Sequence, residues 1–473
     1  MARYREIASE ITEDIESGAL GSGDKLPSLR DACARWRVSL ITAKGAYRLL
    51  ERQGFIEARP QSGYYVLPQS ARQEPTPYTP REEISSPNDE LRIISQIIGA
   101  NSNLGFRALG AAIPGPELLP LKALSRYSAR IARRTGEAFS EYGPPSGCER
   151  LRVEIARHYR SLGAKVLPND IVIHNGALDA ITTTLRAITR PGDTIVLESP
   201  TYYLFMHAAA ALNLRVVSVP HIPGEGIDLR ALANALASRT IKALLTIPNY
   251  HNPTGSCMAL STKEKLVRLA AKHETLIIED DVYGELSHSA ERPLPLVTVD
   301  TKGVVIHCSS VSKVLGPGFR VGWSISRKFR PLIEQSQFLQ SISCPTLTQE
   351  VVAEFLSCDG LRRHSRLTGN KLAMYAQSYR AALQEVLPAD SRITRPLGGF
   401  LLWIELPHGT DTTQLFHSLA SAHTGLTPGI IFGNHRDAKR FFRFPFGTSL
   451  SSRIEQSIRL IGDATHRQIK ARH

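Results

Sequence analysis

The sequence predicts a chain in two parts: a small helical head with a β wing, then a large α/β domain on a mostly parallel sheet, ending in a smaller α+β lobe. Three observations carry this. Residues 1–67 hold three amphipathic helical stretches and then a hairpin pattern. Residues 68–90 hold five prolines and keep no apolar period. From 91 to 473, short apolar, β-rich runs alternate with helical stretches, the pattern of parallel strands covered on both faces.

In the head, Ile7, Ile11 and Ile15 recur every four residues, and the helix they mark stops at Gly18. Ser28 is placed to N-cap a second helix carrying Leu29, Ala32, Cys33 and Trp36 at helical spacing. A turn at Arg37-Val38 leads to Ser39, a second N-cap. The third helix is expected to face Ile41, Ala46, Leu49 and Leu50 inward and to end near Gly54. The run FIEARPQSGYYV then gives two short strands about Pro60-Gln61-Ser62-Gly63. Two helices joined by a short turn and followed by a β wing form a DNA-reading arrangement. On that reading Ser39, Ile41, Thr42 and Lys44 are candidates for the groove. Arg30, Arg59, Ser62 and Gly63 are candidates for the backbone or minor groove. Charge agrees locally. The chain carries +13 overall and residues 1–66 only +1, yet residues 30–59 hold seven basic side chains against three acidic ones.

The proline-rich stretch 68–90 reads as a semi-rigid linker able to extend on the order of 60 Å at ~3.1 Å per residue. Beyond it, strands are expected at 171–175, 194–199, 214–219, 242–247, 275–280, 303–309 and 320–326. The runs FLLWIEL (400–406) and FFRFPF (441–446), with an amphipathic helix over 453–470, give the smaller lobe.

Composition narrows the function classes. At 42% hydrophobic and 21% charged residues the chain is globular in usage. No apolar run reaches the roughly 18 residues a membrane span needs. The N-terminus is charged from its third residue and lacks a signal-peptide core. A cytoplasmic protein without a membrane partner is expected. Six scattered cysteines form no CxxC pair, so neither a metal site nor a disulfide framework is expected.

Four motifs in the large domain converge on one chemistry. In SSVSK (309–313), Lys313 follows a strand among small hydroxyl residues, a setting for a Schiff base with an aldehyde. In EDDVY (279–283), Asp280 is placed to keep a pyridine nitrogen protonated, and Tyr283 to donate to a ring phenolate. In NPTG (252–255), Asn252 offers a second donor to that phenolate. In IVIHNGALDA, a helix starts at Gly176-Ala177-Leu178, so the free amides of Ala177 and Leu178 suit a phosphate. Ser310 and Arg320 add a hydroxyl and a guanidinium for the same phosphate.

Together these motifs, with YGPPSG (142–147), ESPTYY (198–203) and SKVLGPGFRVGW (312–323), resemble the fold-type I aminotransferases over roughly residues 105–465. The resemblance implies pyridoxal 5'-phosphate as cofactor, with Lys313 as its Schiff-base lysine. It also implies Asp280 on the ring nitrogen, Asn252 and Tyr283 on the ring oxygen, and Tyr202 stacked on the ring. Ser310, Arg320, Ala177 and Leu178 would hold the phosphate. Tyr142 would reach the phosphate of the other subunit of a homodimer, and Arg443 would bind the α-carboxylate of an amino compound. The head, KLPSLRDACARWRVSLITAKGAYRLLERQGFIEARPQSGYYV, resembles the GntR winged helix. That likeness carries over for Arg30, Thr42, Lys44 and Gly63, but Leu40 stands where the family commonly has Arg. A thymine-methyl contact and simple packing are both open to Leu40.

The fusion resembles the MocR subfamily of GntR regulators. It implies a transcriptional regulator that binds operator DNA and senses pyridoxal phosphate or an amino compound through the large domain, and it places the protein on the nucleoid when bound. The alternative is a working aminotransferase with a DNA-binding appendage.

Overall fold

The computed structural model describes residues 3–59, 62–67, 75, 93–96, 110–134, 140–420, 422, 424–433 and 437–471. The expected linker therefore lies outside the described residues, save Pro75.

The head consists of α1 (Arg3–Glu16), α2 (Leu29–Trp36), α3 (Leu40–Gln53), β1 (Ile56–Arg59) and β2 (Gly63–Val66). Both serine caps form: Ser28 Oγ accepts from the Asp31 amide and Ser39 Oγ from the Thr42 amide, each at 3.2 Å. Arg37 closes α2 in the left-handed region (φ 50°), and Gly54 closes α3 there (φ 75°). Ile7, Ala8, Ile11 and Ile15 of α1 pack into one core with Ala32, Trp36, Ala43, Ala46, Tyr47, Leu50, Ile56 and Val66. The Trp36 indole donates to Glu10 at 2.9 Å and the Tyr47 hydroxyl to the Pro27 carbonyl at 2.9 Å. The strands pair antiparallel, Ile56 opposite Val66 and Arg59 opposite Gly63.

One expectation fails here. Ile41 does not face inward; it is 85% exposed. The buried stripe of α3 runs through Ala43, Ala46, Tyr47 and Leu50, which share one face at ~3.6 residues per turn. Ile41 precedes Ala43 by two positions, roughly 200° around the helix, and so stands on the opposite side. Leu40, 55% exposed, is not a packing residue either.

The large domain is built on eight strands: β3 (Ile171–His174), β4 (Thr194–Ser199), β5 (Arg215–Ile222), β6 (Gly226–Ile227), β7 (Ala243–Thr246), β8 (Leu276–Asp280), β9 (Val305–Ser310) and β10 (Gly322–Ile325). Their spatial order is β3-β10-β9-β8-β7-β4-β5-β6. Strands β9, β8, β7, β4 and β5 run parallel, β10 runs antiparallel to both β3 and β9, and β6 turns back on β5. Separate apolar clusters use alternate residues of the same strands: Ile195 and Leu197 lie in one, Val196 in the other. Helices thus cover both faces, which is why these strands are apolar along their whole length. The smaller lobe is an antiparallel sheet in the order β11 (Arg392–Ile393), β12 (Leu401–Glu405), β14 (Phe441–Pro445), β13 (Thr427–Pro428). It closes against the helix Ser452–Lys470, whose cap is Ser451.

The placement of Ile41 is directly testable. Leu50→Ala removes a fully buried side chain and should cost about 2–5 kcal/mol. Ile41→Ala should stay within about 0.5 kcal/mol. Denaturant unfolding reads both, and equal losses would return Ile41 to the core.

Candidate functional site

Parallel strands deliver their C-terminal ends to one edge of the sheet, where α/β proteins bind ligands. Strand β8 ends at Asp280, β9 at Ser310 with Lys313 just beyond, and β3 leads through Asn175 and Gly176 into the helix Ala177–Ile188. Because β10 is antiparallel, its first residue, Gly322, pairs with Ser310 and His174 at this same edge. Arg320 is thereby carried to it as well.

Lys313 Nζ donates to the Ala112 carbonyl at 2.7 Å and lies 5.8 Å from the Tyr283 ring centre. Burial, then the Arg443 charge, pushes its amine down to about 8 against the pull of Asp280. Asp280 is pushed up to about 7, first by burial and then by Asp281. Its Oδ1 has no hydrogen-bond partner, and neither does the Tyr283 hydroxyl. Burial raises the Tyr283 phenol too. Asn252, 4% exposed, accepts from Arg443 Nη1 through Oδ1 at 2.9 Å, which leaves its amide nitrogen as the free-pointing donor.

Arg443 is not a surface charge at the end of a strand: it is 1% exposed on β14, opposite Trp403 and Thr427. Its Nη2 donates to the Gly110 carbonyl at 3.0 Å, its guanidinium lies 5.0 Å from the Phe432 ring, and its Nε is unpartnered. Tyr202 precedes the helix Tyr203–Ala211. Burial holds its phenol well above 10, with Tyr283, Arg443 and Asp280 all acting on it electrostatically.

At the helix start, a Cβ on Gly176 would lie 2.5 Å from Arg320 Nη2, and one on Gly322 would strike the Gly176 backbone. Gly322 requires glycine for close approach, and Gly176 for its backbone conformation at φ 101°. Arg320 holds the left-handed region (φ 50°) and donates to the Asn175 carbonyl at 2.5 Å, which places its guanidinium beside Gly176, the N-cap of the helix Ala177–Ile188. Ser310 Oγ accepts from the Ser312 amide at 3.3 Å. Tyr142 is 80% exposed and stands apart from this cluster within the chain. The carbonyls of Gly110 and Ala112 also serve the site. Sequence reading missed them, because a backbone acceptor leaves no side-chain signature.

These residues fit a phosphorylated pyridine aldehyde. A buried carboxylate and phenol without partners await a ring. An amine pushed toward neutrality awaits an aldehyde, and a guanidinium beside a helix N-terminus awaits a phosphate.

In the head, the exposed face of α3 presents Leu40, Ile41, Lys44 and Arg48. Ser39 Oγ and Thr42 Oγ1 are 2.9 Å apart, so both belong to the cap; Thr42 is half-buried. Arg30 is exposed. In the wing, Arg59 pairs with Glu57 at 2.8 Å and lies 4.4 Å from the Tyr65 ring centre. Ser62 and Tyr65 share a hydrogen bond of 2.7 Å. Gly63 adopts φ 114°. Lys25 completes this group, 5.8 Å from the same Tyr65 ring. It was absent from the sequence-based set because it lies far from the wing in the chain.

A winged helix ahead of an α/β domain of the aminotransferase type defines a regulator–aminotransferase fusion. The description "Aminotransferase class I and II" matches residues 117–453, and "Bacterial regulatory proteins, gntR family" matches residues 3–66. The chain is 37% identical to the uncharacterised HTH-type transcriptional regulator YdcR of Escherichia coli, covering 98% of both chains. It is 32% identical to YjiR of the same organism, over 99% of this chain and 100% of that one. The large domain superposes on LysN, the α-aminoadipate aminotransferase of Thermus thermophilus, solved with N-(5'-phosphopyridoxyl)-L-leucine. That match has a TM-score of 0.72 and 26% identity, and covers 80% of this chain and 98% of the other. The chain belongs to the aminotransferase class I and II family, in the branch that joins this domain to a GntR-type HTH head. Among the described residues, no helix is long and apolar enough to cross a membrane.

The two shifted groups give opposite pH signatures. Lys313 reacts as the free amine. Its capture of a small aldehyde, trapped by reduction, should rise through a midpoint near 8 and vanish in Lys313→Ala; a midpoint near the ordinary value of about 10.4 would remove the desolvation argument. Asp280 has its folded value raised, so its cost to stability is absent below the ordinary 3.8 and complete above 7. Asp280→Asn should therefore stabilise the cofactor-free protein at about pH 8 and hardly at about pH 4, as read by thermal unfolding.

Proposed function

We propose that this chain is a MocR-type, DNA-binding transcriptional regulator whose large domain binds pyridoxal 5'-phosphate and senses it, or an amino compound captured on it. The observation that carries this reading is the meeting of Asp280 Oδ1 and the Tyr283 hydroxyl, both buried without partners, with the Lys313 amine. A domain kept only for dimerisation has no use for that costly set.

When bound, the cofactor supplies an aldehyde that captures amines and a ring that draws electrons from them. The chain's own residues do the holding. Lys313 would hold the aldehyde through its amine, and Asp280 would keep a proton on the ring nitrogen. Asn252 and Tyr283 would donate to the ring oxygen, and Tyr202 would cover the ring face. Ser310, Arg320 and the amides of Ala177 and Leu178 bind the phosphate. In a homodimer, Tyr142 of the second copy reaches that phosphate, which accounts for its exposure here. Arg443 receives the carboxylate of the amino compound by giving up carbonyl and amide partners.

In the head, Lys44 and Ile41 face the major groove beside Leu40, whose side chain is available to a thymine methyl. Arg30, Arg59 and Gly63 approach the backbone, and Ser39 and Thr42 hold the start of the helix. An effector that favours one arrangement of the large domain shifts its population. The spacing of two heads on a palindromic operator converts that shift into affinity. Such a protein works in the cytoplasm, on the nucleoid.

Fluorescence anisotropy of the gene's own upstream DNA tests the proposal. Specific affinity should change when pyridoxal phosphate is added, and Lys313→Ala should lose that change. Lys44→Ala should weaken binding on all sequences and reduce the salt slope by about 1. Weak binding without preference over unrelated DNA, together with steady amino-donor turnover, would instead make the chain an aminotransferase with an appended head.

A further inference from the structure

Behind Asn252 lies a buried cluster that the cofactor site does not use. Glu198 at the end of β4, His221 on β5, and His251 and Thr254 of the turn 251–256 are each at most 2% exposed. Their contacts close a square. Glu198 Oε2 lies 2.7 Å from His251 Nε2 and 3.4 Å from His221 Nδ1. Thr254 Oγ1 lies 3.0 Å from His251 Nδ1 and 3.0 Å from His221 Nε2. The imidazoles stack at 3.9 Å and 28°. His251 Nε2 makes no hydrogen bond of ordinary geometry, although the Glu198 carboxylate oxygen lies 2.7 Å from it.

The protons do not add up for neutral rings. Each neutral imidazole brings one N–H and Thr254 one O–H, and the latter also points to Ser256 Oγ at 3.0 Å. An ionised carboxylate brings none. The four sides of the square therefore have at most three protons between them. Among the described residues, the ion pairs of Glu198 are with these histidines, and its Oε1 is taken by the Thr246 hydroxyl.

A divalent metal fits the donor types, and the ligand atoms lie within 4.8 Å of one another. The square is too tight for one. Tetrahedral coordination at ~2.0–2.1 Å would hold the ring centres about 5 Å apart, against the observed 3.9 Å. A separation of 2.7 Å is instead that of an imidazolium and a carboxylate in direct ion-pair contact.

We infer that the square holds one extra proton, an imidazolium shared by His221 and His251 against an ionised Glu198, and that it acts as a positioning device for Asn252. The second half rests on the cofactor reading above. His251 and Thr254 bracket Asn252 and Pro253, and the turn is closed by the His251 amide on the Ser256 carbonyl at 2.8 Å and the Gly255 amide on the His251 carbonyl at 2.6 Å. Pinning His251 and Thr254 to two strands fixes the tip that carries the ring-oxygen donor. Burial pushes the Glu198 carboxyl up, but the His251 and His221 charges hold it well below the usual carboxylate range. Burial, then the His221 charge, pushes His251 down to about 4, against the pull of the Glu198 carboxylate.

The proton is tested without cofactor. In ¹⁵N-histidine-labelled, cofactor-free protein, one imidazolium should persist at about pH 8. His221→Gln assigns it, and Glu198→Gln should abolish it. Two neutral rings at about pH 7, or one equivalent of tightly held zinc, would overturn the inference. The positioning role is tested by pyridoxal phosphate affinity in a double-mutant cycle. Glu198→Gln should weaken binding about tenfold in the native background and less than about twofold beside Asn252→Ala. Full, multiplicative losses would show that the square supports the fold generally and not Asn252. A native protein that binds no pyridoxal phosphate would sink the cofactor reading, while the imidazolium signal would still decide the proton.

Discussion

Asp280 is the constraint around which the large domain is arranged. A carboxylate buried at a strand end without a partner for Oδ1 is costly unless a positive charge arrives to meet it. Parallel strands make such a position possible, because they bring several ends to one edge without spending side chains on connections there. The same edge then receives Lys313, Asn252, Tyr283 and the helix start at Ala177. Each is held by its own strand, so the pocket is rigid before any ligand enters. The lowered Lys313 amine and the raised Asp280 carboxyl share one cause, removal from water, and each presents its less charged form to an incoming ring.

The two lobes contribute differently. The large sheet supplies Lys313, Asp280, Tyr283 and the helix start at Ala177. The small sheet supplies Arg443, held by main-chain and amide partners that a carboxylate can replace. Arg443 therefore links lobe to lobe through Asn252, and the buried square behind Asn252 fastens that link to β4 and β5. A ligand that competes for Arg443 acts on the contact between the lobes. That is where a sensor needs its switch, and it is also where an aminotransferase holds its substrate, so the intact site by itself serves both readings.

The head follows a different logic. Its stability comes from one small apolar cluster closed by α1, α2 and α3, and its capping serines hold the starts of α2 and α3. This frees Leu40, Ile41, Lys44 and Arg48 from any duty in the core. Leu40 and Ile41 stand side by side on that exposed face, 55% and 85% exposed.

Much of this was legible in the sequence. Strand positions stood out because residues buried on both faces must be apolar throughout. Helix starts stood out in the head because Ser28 and Ser39 are cap residues. The chemistry-bearing residues stood out because Lys313, Asp280, Tyr283 and Asn252 lie in short motifs at strand ends. Where reading failed, it failed for a physical reason. Ile41 is apolar but falls off the buried stripe by two residues, and only the packing of α1 against α3 decides which stripe is buried. Lys25 joins the wing through an isolated bridge to Tyr65, a contact across forty positions of chain. Gly110 and Ala112 act through carbonyls, which every residue has. Glu198, His221 and His251 stand far apart in the chain and form no motif. Residue type and spacing determined the elements, their caps and the chemistry each strand end could carry. Only tertiary structure decided which carbonyls, carboxylates and rings meet, because the cost of burying a charge is set by neighbours that distant parts of the chain bring to it.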